Sequence, residues 1–128
     1  MERSELYRCP RCGLQLEVTV VGNENVPAPL CCGTAMNKQQ MNSSDGAVEK
    51  HVPVVEVCQD GILVKVGSAA HPMSADHFIE WIEVINGSYS NRYFLKPGDQ
   101  PQAAFYVALS PKLIIRASCN KHGIWQKS

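Results

Sequence analysis

The sequence predicts an all-β protein, in which a small metal-binding unit is followed by an antiparallel β-sandwich. Short runs of β-forming residues, separated by turn signals, follow one another from residue 51 onward. No stretch shows the apolar period of about 3.6 residues that marks a helix. Four of the six cysteines lie within residues 1–37, where apolar residues are sparse. A unit this small rarely folds on its core alone, so we expect a bound metal to stabilise it.

The N-terminal unit is predicted to contain a strand in "LQLEVTV", with one face formed by Leu14, Leu16, Val18 and Val20. The turn-rich stretch "GNENVPAP" follows as a loop. The polar residues 38–46 are predicted to be a linker, which divides the chain into domains at 1–37 and 47–128.

The second domain contains six β-type runs, namely "HVPVVEVC", "GILVKV", "HFIEWIEVI", "RYFL", "AAFYVAL" and "KLIIRAS". Asp60-Gly61 and Asn86-Gly87 are hairpin signals, and "KPGDQP" is a loop. Strands at this spacing are typical of an antiparallel β-sandwich.

Composition and charge narrow the function classes. The 128 residues carry a formal net charge of zero, which argues against nucleic-acid binding. No apolar run approaches the roughly 20 residues that span a bilayer. The polar start "MERSELYR" does not resemble a signal peptide, so we expect a cytoplasmic protein. Disulfides are disfavoured there, and metal or redox chemistry explains six cysteines better.

The first cysteine cluster predicts a metal site. Cys9 and Cys12 form a C-x2-C knuckle followed by Gly13, and Cys31 and Cys32 are adjacent. Four thiolates in two close pairs suit tetrahedral zinc or iron, and the motif alone does not choose between them. Neighbouring side chains point in different directions, so both Cys31 and Cys32 can bind one ion only if the backbone bends between them.

The second candidate site combines every histidine of the chain with one cysteine. Each histidine alone could be a surface, turn or packing residue. Together they fall at strand edges or turns, where the loops of a sandwich gather; they are His51, His71, His77 and His122, with Cys119 near the last. Four imidazoles and a thiolate exceed the needs of four-coordinate zinc and suit iron. A Cys/His nucleophile would use one histidine and leave three unexplained.

These motifs resemble those of the desulfoferrodoxin family, the two-iron form of superoxide reductase, over nearly the whole chain. The matching segments are "CPRCG", "LCCG", "EKHVPV", "HPMSADHFIEWIE", "FLKPG" and "CNKHGIW". The resemblance implies a desulforedoxin-like N-terminal domain and an immunoglobulin-like sandwich. It also implies a homodimer that takes electrons from a rubredoxin-like donor.

The resemblance further implies two iron sites. One iron would be held by Cys9, Cys12, Cys31 and Cys32. The catalytic iron would have four equatorial ligands, His51, His71, His77 and His122, and one axial ligand, Cys119. Glu49 would fill the sixth position in the resting ferric state, and Lys50 would lie beside it.

The activity that the resemblance implies is one-electron reduction of superoxide to hydrogen peroxide. An axial thiolate makes iron electron-rich, as it does in haem enzymes. The alternative is a non-catalytic metalloprotein, either an electron carrier or a structural zinc module. The Glu49-Lys50-His51 triplet favours the enzyme, because a carrier needs no such groups beside an open coordination position.

Three further residues have simpler predicted roles. Cys58 falls in a strand-like run and is expected to be a small buried hydrophobe. Trp81 and Trp125 are expected to be core or site walls rather than redox partners.

Overall fold

The computed structural model describes residues 1–43 and 50–127, and every regular element within them is a β-strand. The all-β class predicted from the sequence is confirmed. The chain forms two compact units, Met1–Gln40 and Met41–Ser128. The described residues contain no helix that could cross a membrane.

The first unit contains five short strands, β1 (Leu6–Arg8), β2 (Gln15–Glu17), β3 (Leu30–Cys31), β4 (Thr34–Ala35) and β5 (Asn37–Lys38). Strand β1 lies between β2 and β5 in an antiparallel sheet, and β3 pairs with β4. The buried cluster is small and consists of Tyr7, Cys9 and Met36. So small a core agrees with the expectation that a metal stabilises this unit.

The strand predicted in "LQLEVTV" is shorter than expected, and its apolar face is not buried. Only Gln15–Glu17 pair with β1. The side chain of Leu16 is 40% exposed and that of Val20 is 85% exposed. The alternation of apolar residues therefore overstated the burial of this segment, although Val18 packs against the buried cluster of the unit.

The second unit is a two-sheet sandwich of eight strands, which are β6 (Met41–Asn42), β7 (Pro53–Cys58), β8 (Gly61–Val66), β9 (Ile79–Asn86), β10 (Tyr89–Phe94), β11 (Gln102–Phe105), β12 (Ile114–Cys119) and β13 (Gly123–Gln126). One sheet has the order β10-β9-β12-β13-β6, and the other has the order β11-β8-β7. Each of the six predicted runs contains a strand. Strands β6 and β13 were not predicted from the sequence.

The core of the sandwich draws side chains from both sheets. Strand β8 alternates strictly and buries Ile62, Val64 and Val66. These residues belong to one cluster with side chains from β9, β11 and β12, and Cys119 is a member of it. One ligand predicted from the sequence is therefore anchored in the hydrophobic core.

The predicted hairpins at Asp60-Gly61 and Asn86-Gly87 are both present, as β7–β8 and β9–β10. A glycine is required at position 61 for a steric reason. A Cβ at this position would lie 2.0 Å from the carbonyl oxygen of Phe105. Only glycine lets β8 pass this close to the end of β11.

Two predictions about individual segments need correction. Part of the predicted linker 38–46 is strand, because Asn37–Lys38 pair with β1 and Met41–Asn42 pair with β13. The β6–β13 pairing is parallel, unlike the other pairings of the sandwich. Cys58 is exposed rather than buried, because it lies at the tip of the β7–β8 hairpin, opposite Gly61.

A buried charge cluster ties β9 to its two neighbours. Glu83 on β9 is buried and accepts hydrogen bonds from Arg116 on β12 and from Arg92 and Ser90 on β10. A buried carboxylate is tolerated only when it is paired and hydrogen-bonded. Because a register slip would break these bonds, the cluster helps fix β12, and hence Cys119 at its end, against β9.

Candidate metal centres

The histidines and the cysteine predicted as ligands lie together at one end of the sandwich and form the histidine–cysteine centre. His51 precedes β7, and the loop that joins β8 to β9 carries His71 and His77. Cys119 ends β12, and His122 lies in the turn to β13. Antiparallel pairing brings the start of β7 to the end of β8, and the start of β9 to the end of β12.

The four imidazoles form a closed ring. Successive ring centroids are separated by 4.7 Å for His51–His71, 4.8 Å for His71–His77, 4.9 Å for His77–His122 and 4.9 Å for His122–His51. Each successive pair is steeply inclined, at 69° to 85°. The near-equal spacings fit four donors that face one common ion.

The donor atoms converge on a common centre. One potential ligand atom from each of the five residues can be chosen so that all lie within 4.8 Å of one another. Nε2 of His51 lies 3.0 Å from Nδ1 of His122, and Sγ of Cys119 lies 3.9 Å from the same Nδ1. His122 therefore faces both His51 and Cys119 with Nδ1.

Hydrogen bonding and burial prepare His71 and His77 for a metal. Nδ1 of His71 donates to the carbonyl of Pro72 at 2.7 Å, which leaves Nε2 with a free lone pair. Among the described residues, the buried Nε2 atoms of His71 and His77 have no hydrogen-bond partner. Orphaned buried nitrogens beside a thiol fit a metal that would satisfy them.

The electrostatics of these histidines favour the neutral imidazole. Burial above all, with a smaller contribution from the charges of nearby histidines, lowers the pKa of His71 to about 4, although the hydrogen bond to the carbonyl of Pro72 acts to raise it. The pKa of His77 is also lowered, first by burial and then by the charges of His122 and Lys121. Neutral imidazole is the form that binds a metal, so the fold holds these side chains ready as ligands.

Trp125 forms one wall of the site, as predicted. Its ring stacks on His51 with centroids 4.5 Å apart and planes inclined by 19°. Its indole Nε1 donates to the carbonyl of His122 at 3.0 Å. Trp125 thus contacts two ligands on separate segments. This link was not predicted from the sequence, although Trp125 lies three residues after His122. Trp81 is buried, with Arg92 stacked on it at 4.2 Å, and its prediction as a core residue is confirmed.

The two remaining site residues of this centre differ in what the structure shows. Glu49, the predicted sixth ligand, lies outside the described residues. Lys50 is exposed and directly precedes His51. Its backbone lies close to Gly67. A Cβ added at Gly67 would lie only 2.4 Å from the carbonyl oxygen of Lys50.

The four N-terminal cysteines form the second donor set, the four-cysteine centre. One potential ligand atom from each lies within 4.8 Å of the others; the residues are Cys9, Cys12, Cys31 and Cys32. The backbone N–H groups of Arg11 and Cys12 donate to Sγ of Cys9 at 3.4 and 3.5 Å. These bonds, with that of Cys12 first, lower the pKa of Cys9 to about 6. The knuckle therefore stabilises a thiolate, the form that binds a metal.

The adjacent pair Cys31-Cys32 fits one centre because the backbone bends as predicted. Cys32 has a φ of 53° and Gly33 a φ of 72°, so two successive residues are left-handed. A non-glycine residue in this region is uncommon and marks a local constraint. Sγ of Cys31 lies 3.6 Å from that of Cys12 and 3.9 Å from that of Cys32.

Comparison with known proteins agrees with these two donor sets. The family model described as Desulfoferrodoxin matches residues 43–128. The chain belongs to the desulfoferrodoxin family. It is 48% identical to the desulfoferrodoxin of Syntrophotalea carbinolica over 124 residues, which cover 97% of this chain and 95% of that protein. It is 45% identical to the desulfoferrodoxin of Nitratidesulfovibrio vulgaris over 122 residues, covering 95% of this chain and 94% of that one.

A solved structure resembles the whole chain. The crystal structure of the superoxide reductase from Treponema pallidum matches with a TM-score of 0.72 and 25% identity, and the match covers 97% of each chain. Family membership makes the present chain an oxidoreductase. Its two donor sets, one of four cysteines and one of four histidines with a cysteine, fit the two irons predicted from the sequence.

Proposed function

We propose that the protein is a superoxide reductase that reduces superoxide by one electron to hydrogen peroxide at the histidine–cysteine centre. The observation that carries this proposal is the closed ring of four imidazoles with a buried thiol against one of its members. Five donors exceed the needs of a four-coordinate structural zinc site. The name of the Treponema pallidum structure supports the same activity.

The proposed ligands follow from the two donor sets. The histidine–cysteine centre would use His51, His71, His77, His122 and Cys119, and the four-cysteine centre would use Cys9, Cys12, Cys31 and Cys32. Iron held at the first centre would supply the one electron that reduces superoxide, and two protons would complete hydrogen peroxide. We further propose that each of the two units is a domain built around one centre.

Burial is graded across the histidine–cysteine centre in a way that suits a small diffusing substrate. Cys119 is 0% exposed and His71 is 3% exposed, whereas His122 is exposed. The sulfur is thus shielded from water by the sandwich core, while the centre can be reached from the side of His122. A shielded thiolate remains a strong electron donor and resists oxidation.

Glu49 and Lys50 are proposed to act beside the open coordination position. The Glu49 carboxylate is a hard anionic ligand, so it would bind the resting ferric centre and leave the ferrous centre free for substrate. The Lys50 ammonium is a mobile point charge beside the His51 ligand. Lys50 would attract the superoxide anion and stabilise the charge that develops as it is reduced.

The remaining functional predictions concern partners and location. We propose that a rubredoxin-like protein donates the electrons, that the protein works as a homodimer, and that it resides in the cytoplasm. The support is the resemblance to the desulfoferrodoxin family.

The activity can be tested by mixing the reduced, iron-loaded protein with superoxide and measuring peroxide and dioxygen together. A reductase consumes one electron from the protein for each superoxide and yields peroxide without dioxygen. Release of dioxygen in step with peroxide would mean dismutation, and an unreactive protein would favour the carrier or structural alternative.

A further inference from the structure

Two segments from distant parts of the chain meet at the histidine–cysteine centre. One runs from Ser74 to Phe78 and carries His77, and the other is the turn from Cys119 to Gly123. The regular pairing between β9 and β12 becomes irregular just before these two segments meet. The register shifts between Ser118 and Cys119. Beyond this point side chains also join the two segments, and one such link is an ion pair between the exposed side chains of Lys121 and Asp76 at 3.8 Å.

Asn120 provides a second link, through both its backbone and its side chain. Its backbone N–H donates to the carbonyl of Phe78 at 3.2 Å, and its Oδ1 accepts from the N–H of Phe78 at 3.0 Å. Phe78 therefore exchanges two hydrogen bonds with one residue, as in a hydrogen-bonded antiparallel pair. The side-chain carbonyl replaces the main-chain carbonyl where the regular ladder has ended.

The same side chain also reaches the other side of His77. Nδ2 of Asn120 donates to the carbonyl of Asp76 at 3.0 Å. Asn120 thus holds the backbone on both sides of His77, while its own neighbours in the chain include Cys119. An amide is required for this arrangement, because it offers an acceptor and a donor on one rigid plane.

We infer that Asn120 is a positioning residue that joins His77 to the Cys119–His122 turn, so that three of the five donors keep one geometry. The inference rests on the proposed function only because the centre is taken to bind iron. A turn-stabilising asparagine would bond within its own turn. The side chain of Asn120 instead bonds to residues 42 and 44 positions earlier in the chain.

The test uses the full-length protein with Asn120→Ala and Asn120→Asp, and Asn91→Ala as the control. Asn91 is an exposed amide on β10. Ferrous iron is removed from each protein by a competing chelator under anaerobic conditions, and the two centres are followed separately. Residues that orient metal ligands typically contribute roughly 10- to 100-fold in metal affinity. We expect Asn120→Ala to weaken iron binding at the histidine–cysteine centre by this amount, with the four-cysteine centre and the Asn91→Ala protein unchanged.

Asn120→Asp distinguishes positioning from general stability. Aspartate keeps the acceptor for the Phe78 N–H and loses the donor to the Asp76 carbonyl, so we expect an intermediate affinity. The thiolate-to-iron absorption band should shift in both variants, since the Cys119 geometry changes. Hydrogen exchange at the Phe78 amide should be fast in Asn120→Ala and slow in Asn120→Asp.

Unchanged iron affinity, band position and Phe78 exchange in Asn120→Ala would overturn the inference. If Asn120→Ala does not fold, Asn120→Asp carries the test: its iron affinity must be weaker than that of the wild type and its thiolate-to-iron band must be shifted, and wild-type values would overturn the inference. Failure of the proposed function would appear elsewhere, as a wild-type protein that binds iron in the histidine–cysteine centre and does not reduce superoxide.

Discussion

Cys119 and Cys58 carry the same thiol in opposite environments. Cys119 is buried in the sandwich core beside four imidazoles, whereas Cys58 is exposed at the far end of β7 from His51. The strand patterns in the sequence could not separate them, because both residues end apolar runs. Position at a hairpin tip, which depends on pairing between β7 and β8, decides that Cys58 is exposed.

This contrast provides a matched test of the proposed role of Cys119 as a metal ligand. Cys119→Ser replaces a soft, strongly donating sulfur by a hard, weakly donating oxygen. We expect the rate of superoxide reduction to fall at least roughly tenfold, which corresponds to about 1.4 kcal/mol in the activation barrier. The long-wavelength thiolate-to-iron band should vanish, while the spectrum of the four-cysteine centre persists. Cys58→Ser should leave both activity and spectrum unchanged, and normal activity in Cys119→Ser would show that the sulfur is not needed.

Lys50 permits a second test at the same scale. The net charge of the chain is zero, so attraction of an anion must be local. We expect Lys50→Ala to slow the bimolecular reaction with superoxide by roughly tenfold at low ionic strength and to flatten its salt dependence. Iron content should not change. Lys112→Ala is the control, because Lys112 is an exposed lysine before the start of β12. Equal rates for Lys50→Ala and wild type at low salt would exclude electrostatic steering by this residue.

At the scale of secondary-structure elements, strand ends and the loops between them form the histidine–cysteine centre. Strand β7 begins two residues after His51, and its first residue, Pro53, pairs with Val66 at the end of β8. Gly67 follows with a φ of 83°, and its N–H donates to the carbonyl of Val52. The turn after β8 therefore holds, through this hydrogen bond, the segment that carries Lys50 and His51.

Gly67→Ala should disturb the contact between this turn and the segment that carries Lys50 and His51. A Cβ would lie 2.4 Å from the carbonyl oxygens of Lys50 and Ala69, and the residue would also be strained by its positive φ. We expect a loss in the free energy of unfolding of roughly 1–3 kcal/mol, together with weaker iron binding at the histidine–cysteine centre. Gly87→Ala is the control, since Gly87 has a φ of 60° but open space around its Cβ position.

Denaturant unfolding and chelator competition separate the two effects. Gly87→Ala should lose only the roughly 1–2 kcal/mol that a left-handed alanine costs and should keep its iron affinity. If Gly67→Ala bound iron as tightly as Gly87→Ala, the contact with Lys50 would not position the ligand segment.

The two units of the whole molecule each contain one donor set of distinct chemistry. Four thiols lie in the first unit, and four imidazoles and a thiol lie in the second. Each set is built from residues of its own unit, so the two centres should respond separately to substitution.

Metal analysis and optical spectroscopy test this organisation. We expect two irons per chain, one for each donor set, and a ferric charge-transfer band from each. Cys9→Ser should alter the band of the four-cysteine centre and leave most superoxide reduction intact, because Cys9 belongs to the other unit. A colourless protein with stoichiometric zinc in both centres would contradict the redox function.

The sequence by itself determined which side chains could bind a metal and which metals they suit. Donor type and number are properties of residues, so two cysteine pairs, four histidines and one further cysteine were sufficient to predict two centres. The alternating runs also predicted the main strands, since a half-buried strand needs that period. Tertiary structure alone decided the closed ring of imidazoles and the parallel pairing of β6 with β13. It also showed the bonds that Asn120 makes to the segment of His77. Each of these features depends on contacts between residues far apart in the chain, which no local pattern of residues encodes.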